Sequence, residues 1–493
     1  MTSHWRVGAG SADIDLPVDL PMAGYARRQG ASQGVERPLQ ARAWACQDPD
    51  GRAVCWVVVD ILCLNSDMVD QIRQGISDQS GSDRLTVVVS ATHTHSGPRA
   101  GRPDQDPGRI VVAAAQAAGL AALDDLGPAR LWAGAVAAPG LGMNRRDGSA
   151  PDLEAHCLVA SELADPTRLK AVLVEFPCHA TVFEHDNLLL SPDYPGHFRD
   201  ALGRLLEAPV VFLQGCAGDI NPIFTGHDSP AARQAGLVLA ATVGQGLARG
   251  LRDAQGPRYV NLTWNGVFPA PDQSPWVELP PGLITSRVAR VEVAAAQRVP
   301  LERAARELER ARADWREVSA DLAAGAQLSE RQRLVAAELG RAWAAELRSR
   351  PPLRSEMLDP HQGEVELRAH LIGLGPDCAL CSLPGEAFVA TADWLRRLPE
   401  APEHLLVGAY AEQAFGYLPP LEEYDRLGYE VGAAHLGPGS VERLVAAVAD
   451  LFGPGPDGPA DSIESVSPVD SAGSVGPVVP VGSASPKSGE GER

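Results

Sequence analysis

Short apolar runs rich in valine, isoleucine and leucine recur along the chain, and segments with a helical spacing of apolar residues lie between them. Strands that alternate with helices favour an α/β fold, in which helices cover the faces of a sheet. We therefore expect a large mixed sheet flanked by helices. The strand candidates are 41–46 and 54–62 around a turn at 48–51, then 85–90, 169–176, 210–213, 371–374 and 379–382, and the helix candidates are 109–123, 194–207, 229–251 and 387–398.

Two segments differ from this pattern. Residues 299–350 are rich in Ala, Arg, Glu and Leu at helical spacing, with a break at Gly325, and predict a charged helical hairpin inserted in the main fold. A solvated insertion without a chemical role is the simplest interpretation of it. The tail from residue 453 onward consists mainly of Pro, Gly, Ser and Val, which predicts disorder. The expected organisation is thus a catalytic domain over 1–452 and a disordered tail over 453–493.

Composition excludes several classes of partner. The formal net charge is −20, and such a surface repels phosphate backbones, so we expect no nucleic-acid partner. No run of about 18 apolar residues occurs, so we expect no transmembrane segment. The first residues lack the apolar stretch of a secretory signal, and the eight cysteines lie in apolar contexts typical of reduced thiols. These features predict a soluble, cytoplasmic protein.

Two histidines follow one of the apolar runs. The segment 90–98 reads Ser-Ala-Thr-His-Thr-His-Ser-Gly-Pro and continues the strand candidate 85–90. In an extended chain, His93 and His95 project from the same face. Sites of α/β proteins lie at the carboxyl ends of strands, so the pair is a candidate metal site. Two polar loop histidines without a ligand are the alternative.

A third histidine ends another apolar run, in Val-Glu-Phe-Pro-Cys-His over 174–179. His179 is also compatible with a purely structural hydrogen bond. The adjacent Cys178 suggests a Cys/His nucleophilic pair, but neighbouring strand residues point to opposite faces, which argues against it. A further run leads into Gly-Cys-Ala-Gly-Asp-Ile-Asn-Pro over 215–222, whose glycines allow backbone amides to approach a ligand. A plain strand-to-helix turn fits this segment equally well.

Two motifs near the end of the ordered chain add a carboxylate and tyrosines. Glu386 lies in Leu-Pro-Gly-Glu-Ala-Phe over 383–388, where a carboxylate is also explained by the dipole of the following helix. Phe-Gly-Tyr-Leu-Pro-Pro over 415–420 contains Tyr417, and Tyr429 follows twelve residues later. Tyrosines in a Pro- and Gly-rich loop are commonly packing residues.

These five motifs, in this order, resemble the neutral and alkaline ceramidase family, specifically its N-terminal catalytic domain. The resemblance runs from Gly-Ala-Gly-Ser-Ala-Asp at 8–13 to about residue 451, and the segment 90–98 is highly specific to the family. Residue by residue, it implies a zinc ion held by His93, His179, Glu386 and Tyr417. Two histidines and a carboxylate are an ordinary catalytic zinc set, whereas a tyrosine ligand is unusual.

The resemblance also implies roles for residues around the metal. His95 matches a histidine that lies beside the ligands and is a candidate proton shuttle. Arg145, in Gly-Met-Asn-Arg-Arg over 142–146, matches an arginine close to the scissile carbonyl, and Tyr429 matches a tyrosine that donates to an oxyanion.

Two departures from the family pattern bear on the reaction. The family carries a serine where this chain has Asn221, in Gly-Asp-Ile-Asn-Pro over 218–222. Asparagine cannot form an acyl-enzyme, but its amide can hold an oxyanion or orient a water. The chain also has a low-complexity tail instead of the C-terminal immunoglobulin-like domain of larger members, as expected of a divergent bacterial-type member. Metal-activated water is favoured, and ceramide itself is less expected as substrate.

The leading hypothesis is a zinc-dependent hydrolase of an amide bond in an N-acyl lipid or a smaller N-acylated metabolite. An amide- or ester-forming acyltransferase of a biosynthetic pathway, using the same cleft, is the first alternative. A non-catalytic metal-binding protein is the second. The segment 299–350 is a candidate contact surface for a homo-oligomer.

Overall fold

The computed structural model describes residues 4–100, 103–254, 258–261, 266–269, 276–297, 299–320, 322, 327–349 and 363–452. All of these residues belong to one compact unit. The predicted disordered tail, 453–493, lies outside the described residues. Within the part of the chain that the structure describes, no helix combines the length and the apolar character needed to cross a membrane.

Strands and helices alternate through much of the chain, as the apolar runs predict. The strands are β1 (Trp5–Asp13), β2 (Gly34–Val35), β3 (Gln40–Gln47), β4 (Ala53–Val59), β5 (Leu85–Ala91), β6 (Gly127–Ala137), β7 (Gly142–Asn144), β8 (Glu154–Glu162), β9 (Leu169–Phe176), β10 (Leu189–Leu190), β11 (Val210–Gln214), β12 (Ile220–Pro222), β13 (Arg258–Asn261), β14 (Gly266–Pro269), β15 (Val277–Leu279), β16 (Ile284–Ala294), β17 (Glu364–Leu374), β18 (Cys378–Ser382), β19 (Glu386–Ala387), β20 (His404–Gly408) and β21 (Tyr417–Leu418). The helices are α1 (Ser66–Ser80), α2 (Asp106–Asp124), α3 (Asp193–Leu206), α4 (Ser229–Ala254), α5 (Leu301–Ser319), α6 (Glu330–Ser349), α7 (Val389–Arg396), α8 (Glu423–Arg426), α9 (Tyr429–Ala433) and α10 (Ser440–Ala449).

A large mixed sheet dominates the described residues. Its strand order is β11-β9-β8-β6-β1-β3-β4-β5, with β15 paired to β6. The β4–β5 and β9–β11 pairs are parallel, and the remaining pairs are antiparallel. The predicted α/β class with a large mixed sheet is therefore confirmed. One strand of each parallel pair leads to a predicted histidine: β5 precedes His93, and β9 precedes His179.

A second, four-stranded sheet with the order β16-β17-β18-β20 packs on the first. Side chains alternate along each strand, so Trp44 and Trp56 of the large sheet meet Leu380 and Leu406 of the small one in a shared core. The opposite faces of both sheets pack against helices. The result is four layers, helix–sheet–sheet–helix. The sequence indicates the individual strands, but their apolar pattern does not tell whether they join one sheet or two.

The segment after β20 joins the two edges of the large sheet. The Ala409 N–H donates to the carbonyl of Gln214 at the end of β11, 2.9 Å away. The next residue, Tyr410, accepts from the Ala91 N–H at the end of β5, 3.1 Å away, and β5 and β11 are in contact. The carboxyl ends of two strands that are far apart in sheet order therefore lie side by side.

The helices α5 and α6 form the predicted helical hairpin. They pack together around Leu308, Ala311 and Ala342, and their outer faces carry Arg–Glu pairs. The hairpin also packs on the main fold, because α6 lies against α9.

A buried ion pair supports the end of β4. Arg199 on α3 donates to Asp60 through Nη1, 2.8 Å, and Nη2, 2.5 Å, and both side chains are almost fully buried. Asp60 also accepts from Thr92 Oγ1 at 3.2 Å, so the ion pair helps to fix the residue that precedes His93.

We expect Arg199→Met to lower the free energy of unfolding by about 3–5 kcal/mol, because it leaves the Asp60 carboxylate buried without its partner. Urea denaturation of the variant and of the natural chain measures the difference. The control is Arg204→Met on the exposed face of the same helix, for which we expect a change below about 0.5 kcal/mol. A loss of less than about 1 kcal/mol for Arg199→Met would contradict the assignment.

Candidate metal centre

His93 lies two residues beyond β5, and the backbone of Leu62 holds its ring in a fixed orientation. Nδ1 is 2.8 Å from the carbonyl oxygen of Leu62. A carbonyl oxygen can only accept, so Nδ1 carries the hydrogen atom and Nε2 of the neutral ring presents a lone pair. The residue has a φ of 59°, which is uncommon for a residue other than glycine.

His179, three residues beyond β9, is held in the same way. Its Nδ1 contacts the carbonyl oxygens of Ala217 and Ile220, the latter at 3.2 Å, so Nε2 again presents a lone pair. Burial lowers the pKa of His179 to about 4 and outweighs the attraction of Glu386. The ring is therefore neutral near pH 7, as a metal ligand must be.

Glu386 completes this group. Its Oε2 lies 3.3 Å from Nε2 of His93 and 3.3 Å from Nε2 of His179. Burial would raise the pKa of this carboxyl, but the two histidines hold it well below its usual range. Oε2 and Nε2 of His179 are buried and have no hydrogen-bond partner among the described residues. Three lone pairs thus face one another, and a cation between them would satisfy all three.

This donor set fits a metal ion. Two imidazole nitrogens and one carboxylate oxygen are the donors of common catalytic zinc sites. The hydrogen bonds from Nδ1 of both histidines to backbone carbonyls are the outer contacts that orient such ligands.

His95 lies as close to the centre as the predicted ligands do. Its Nε2 is 3.2 Å from Nε2 of His93, and ligand atoms of His93, His95 and His179 all lie within 4.8 Å of one another. Its Nδ1 is buried and makes no hydrogen bond with the described residues. Burial, reinforced by the other two histidines, lowers the pKa of His95 well below its usual value. The geometry is compatible with a third histidine ligand as well as with the predicted role in proton transfer.

Close backbone approach places the 215–222 loop against Glu386. A Cβ atom on Gly218 would lie 2.4 Å from the carbonyl oxygen of Glu386, which only a glycine avoids. The Gly218 N–H donates to Ala387, 2.8 Å away. The predicted glycine-rich loop therefore serves backbone packing beside the centre.

Arg145 is anchored by the same loop. Its backbone N–H donates to Asp219, 2.9 Å, and its Nη2 donates to the carbonyl of Gly218, 2.8 Å. Its Nε is 2.8 Å from a carboxylate oxygen of Glu430. Although burial opposes the charge, Tyr417 and Glu430 raise the pKa of Arg145, so the guanidinium stays charged beside the centre.

Asn221 lies in β12, directly after the residue that supports His179. The Ile220 carbonyl accepts from the His179 N–H at 3.0 Å. The Oδ1 atom of Asn221 is buried without a hydrogen-bond partner among the described residues. The side chain thus keeps an unused acceptor, on the residue next to the one that binds the His179 N–H.

Tyr417 and Tyr429 form an aromatic wall beside Glu386. Direct pairing of β19 and β21 places Glu386 next to Tyr417. The centres of the Tyr417 and Tyr429 rings are 5.9 Å apart. The Arg145 guanidinium lies 5.1 Å from the centre of the Tyr417 ring. Burial raises the pKa of both phenols, so each is a hydrogen-bond donor near pH 7. Tyr417 would bind a metal only with loss of that proton or as a weak ligand.

Tyr410 belongs to the centre, and the sequence motifs do not include it. Its ring lies 4.1 Å from the His93 ring, and its buried hydroxyl has no partner among the described residues. It lines a small cavity with Leu62, Cys63 and Gln413. Its φ is 55°. The position of Tyr410 depends on the hydrogen bonds of its segment with β11 and β5. No local sequence pattern predicts these long-range hydrogen bonds.

Comparisons with known proteins agree with the predicted resemblance. Residues 5–104 match the family model described as neutral/alkaline non-lysosomal ceramidase, N-terminal. Over 100 residues the chain is 33% identical to a neutral ceramidase of Oryza sativa subsp. japonica and 32% identical to neutral ceramidase 1 of Arabidopsis thaliana. Each match covers 20% of this chain and 13% of the relative, so the chain is similar to only a small part of these proteins' length.

The fold is also that of solved ceramidases. The structure of neutral ceramidase from Pseudomonas aeruginosa superposes with a TM-score of 0.66 and 18% identity, over 92% of this chain and 74% of the other. A structure described as ceramidase complexed with C2 gives a TM-score of 0.64 and 19% identity, over the same shares. The family resemblance and the mixed α/β fold are confirmed. Of the predicted metal ligands, His93 lies within the matched segment, whereas His179, Glu386 and Tyr417 lie beyond it.

We expect Gly218→Ala to destabilise the chain by about 1–3 kcal/mol, because the new methyl group meets the backbone oxygens of Glu386 and Ala387. Thermal and urea unfolding measure the loss. The matched control is Gly226→Ala, where a Cβ would make only ordinary contacts, beginning at 3.6 Å from Asp228. If both variants had the stability of the natural chain, the close approach at Gly218 would be wrong.

Proposed function

We propose that this chain is a zinc-dependent hydrolase of N-acyl amide bonds. The observation that carries the proposal is the convergence of the buried lone pairs of His93, His179 and Glu386 on one point. The family resemblance supports an amide as the substrate. An N-acyl lipid or a smaller N-acylated metabolite fits the proposal, and we place the protein in the cytoplasm.

The three residues would hold the zinc ion, with Tyr417 as a fourth, weaker ligand. When bound, zinc polarises a carbonyl group and acidifies a water molecule. The carbonyls of Leu62 and Ala217 keep both imidazoles in the tautomer that such binding requires.

Arg145 and Tyr429 would stabilise the negative charge that develops on the amide oxygen. Arg145 remains charged, Tyr429 remains a protonated donor, and both lie beside the Tyr417 ring. Donors that are fixed before the reaction stabilise the transition state more than donors that must reorient.

His95 would move the proton that the leaving amine needs. Its neutral ring has one nitrogen beside His93 and one nitrogen without a hydrogen bond to the described residues, so it can take up a proton and pass it on. Asn221 offers no nucleophile, and its unused amide oxygen can accept from a water molecule or from the amide N–H of the substrate.

One observation favours the acyltransferase alternative. Asn221 stands where the resemblance places a serine, so the chain's chemistry can differ from that of its relatives. Product analysis with an activated acyl donor and an amine separates net amide formation from hydrolysis.

We expect His93→Ala and His179→Ala to abolish tight zinc binding, because each removes one of the converging donors. Elemental analysis of protein purified without chelator, followed by competition with a chromogenic chelator, measures the zinc content and the affinity. His185→Ala, at a half-exposed histidine, is the control and should bind zinc as the natural chain does. Full zinc occupancy in both ligand variants would contradict the proposed centre.

The same measurement assigns His95. If His95 acts beside the ligands, His95→Ala should weaken zinc binding by no more than about 10–100-fold, the usual cost of an outer contact. A loss as large as that of His93→Ala would make it a ligand.

We expect Tyr429→Phe to lower kcat for an N-acyl substrate by about 10²–10³-fold with zinc content unchanged, because it removes one donor to the developing oxyanion. Steady-state kinetics on N-acyl substrates of increasing acyl length measure the effect. The matched control is Tyr424→Phe in the preceding helix, whose hydroxyl donates to the carbonyl of Leu436 at 3.2 Å. Equal kcat values for Tyr429→Phe and the natural chain would remove Tyr429 from the mechanism.

A further inference from the structure

The helical hairpin α5–α6 contacts the aromatic wall of Tyr417 and Tyr429 through one ring. The Trp343 ring of α6 lies 5.3 Å from the Tyr429 ring, at an interplanar angle of 38°. Tyr429 contacts Tyr417 on its other side, as described above. Arg27, which is exposed, covers Trp343 from outside at 4.8 Å. A continuous row of contacting side chains, Arg27, Trp343, Tyr429 and Tyr417, therefore runs from the surface to the residue beside Glu386.

The backbones of α6 and α9 also touch. A Cβ on Gly432 would lie 2.3 Å from the carbonyl oxygen of Arg341 and 3.0 Å from Cβ of Ala344. A Cβ on Gly340 would lie 3.2 Å from the backbone nitrogen of Tyr429. Such approach leaves no room for a side chain between the two backbones at these positions, so α9 packs directly on α6.

The helix α9 depends on these contacts. It has five residues, and a helix of that length has little stability of its own in water. Within α9, Glu430 accepts from Arg146 at 2.7 Å and lies 2.8 Å from Nε of Arg145. Arg145 and Arg146 thus hold α9 through Glu430, and the hairpin holds it through Tyr429 and Gly432.

We infer that the α5–α6 hairpin is part of the catalytic apparatus and that Trp343 is a positioning residue for Tyr429. This inference rests on the proposed function for the role of Tyr429, but the ordering of α9 by α6 does not. Trp343 acts through Tyr429 and touches no reacting atom. The simple interpretation of segment 299–350 as a solvated insertion is therefore replaced by one in which it sets the geometry of an oxyanion donor.

The test compares Trp343→Ala, Trp343→Phe and Trp315→Ala in the full chain loaded with zinc. Trp315 lies on α5 of the same hairpin and is the matched control. Hydrogen exchange of the backbone amides of 428–434 reports the order of α9 without any need for turnover. We expect exchange at these amides to be about tenfold faster in Trp343→Ala, close to normal in Trp343→Phe, and unchanged in Trp315→Ala.

Kinetics then test the positioning role. We expect Trp343→Ala to lower kcat about tenfold with KM within about threefold of normal, and Trp343→Phe to restore most of the loss. In a double-mutant cycle, Trp343→Ala should have no further effect on kcat in a Tyr429→Phe background, because both changes remove the same donor from the reaction. If Trp343→Ala does not fold, Trp343→Leu, which keeps an apolar side chain but removes the ring contact with Tyr429, gives the same comparison in both backgrounds.

Several outcomes would overturn the inference. Unchanged exchange at 428–434 in Trp343→Ala would show that Trp343 does not order α9. Faster exchange with unchanged kcat, or additive effects in the cycle, would show that Trp343 does not act through Tyr429. If the natural chain binds zinc but hydrolyses no N-acyl substrate, the proposed function fails, and the exchange measurement still decides whether Trp343 orders α9.

Discussion

The backbone carbonyl oxygens of Leu62 and Ala217 accept hydrogen bonds from Nδ1 of His93 and His179, and this contact determines the chemistry of the centre. With the hydrogen atom on Nδ1, the Nε2 atom of each neutral ring carries none, and both Nε2 atoms point towards Glu386. The opposite tautomer would allow each histidine to donate to the carboxylate, and the group would then be a closed hydrogen-bonded cluster. Because the backbone prevents this, the cluster remains an open acceptor site.

His93 and the carbonyl of Ala217 lie close together because the ends of two distant strands meet. His93 follows β5, and Ala217 follows β11, at opposite ends of the strand order of the large sheet. The segment 409–412 pairs with both strands, and the Asp60–Arg199 ion pair secures the loop before His93 from the helix side. The centre therefore belongs to the tertiary structure as a whole, and no single element could form it alone.

The sequence predicts the parts of the site that local structure positions. His93 and His179 follow apolar runs that are strands, and the order of motifs identifies Glu386 and Tyr417, which the structure pairs in β19 and β21. The roles of these residues stay predictions, although their proximity is observed. Tyr410 and Trp343 escape sequence reasoning, because each reaches the site through packing between segments far apart in the chain. The division into two sheets escapes it for the same reason.

Three of the seven described residues other than glycine that have positive φ lie where the strands meet. His93, Tyr410 and Glu412 all have positive φ values, between 55° and 63°, and none of them is a glycine. Conformations of this kind cost about 1–3 kcal/mol each and persist only where the surroundings impose them. Selection for heat resistance alone would therefore favour glycine or asparagine at such positions, and at residue 93 it would remove the imidazole from the centre.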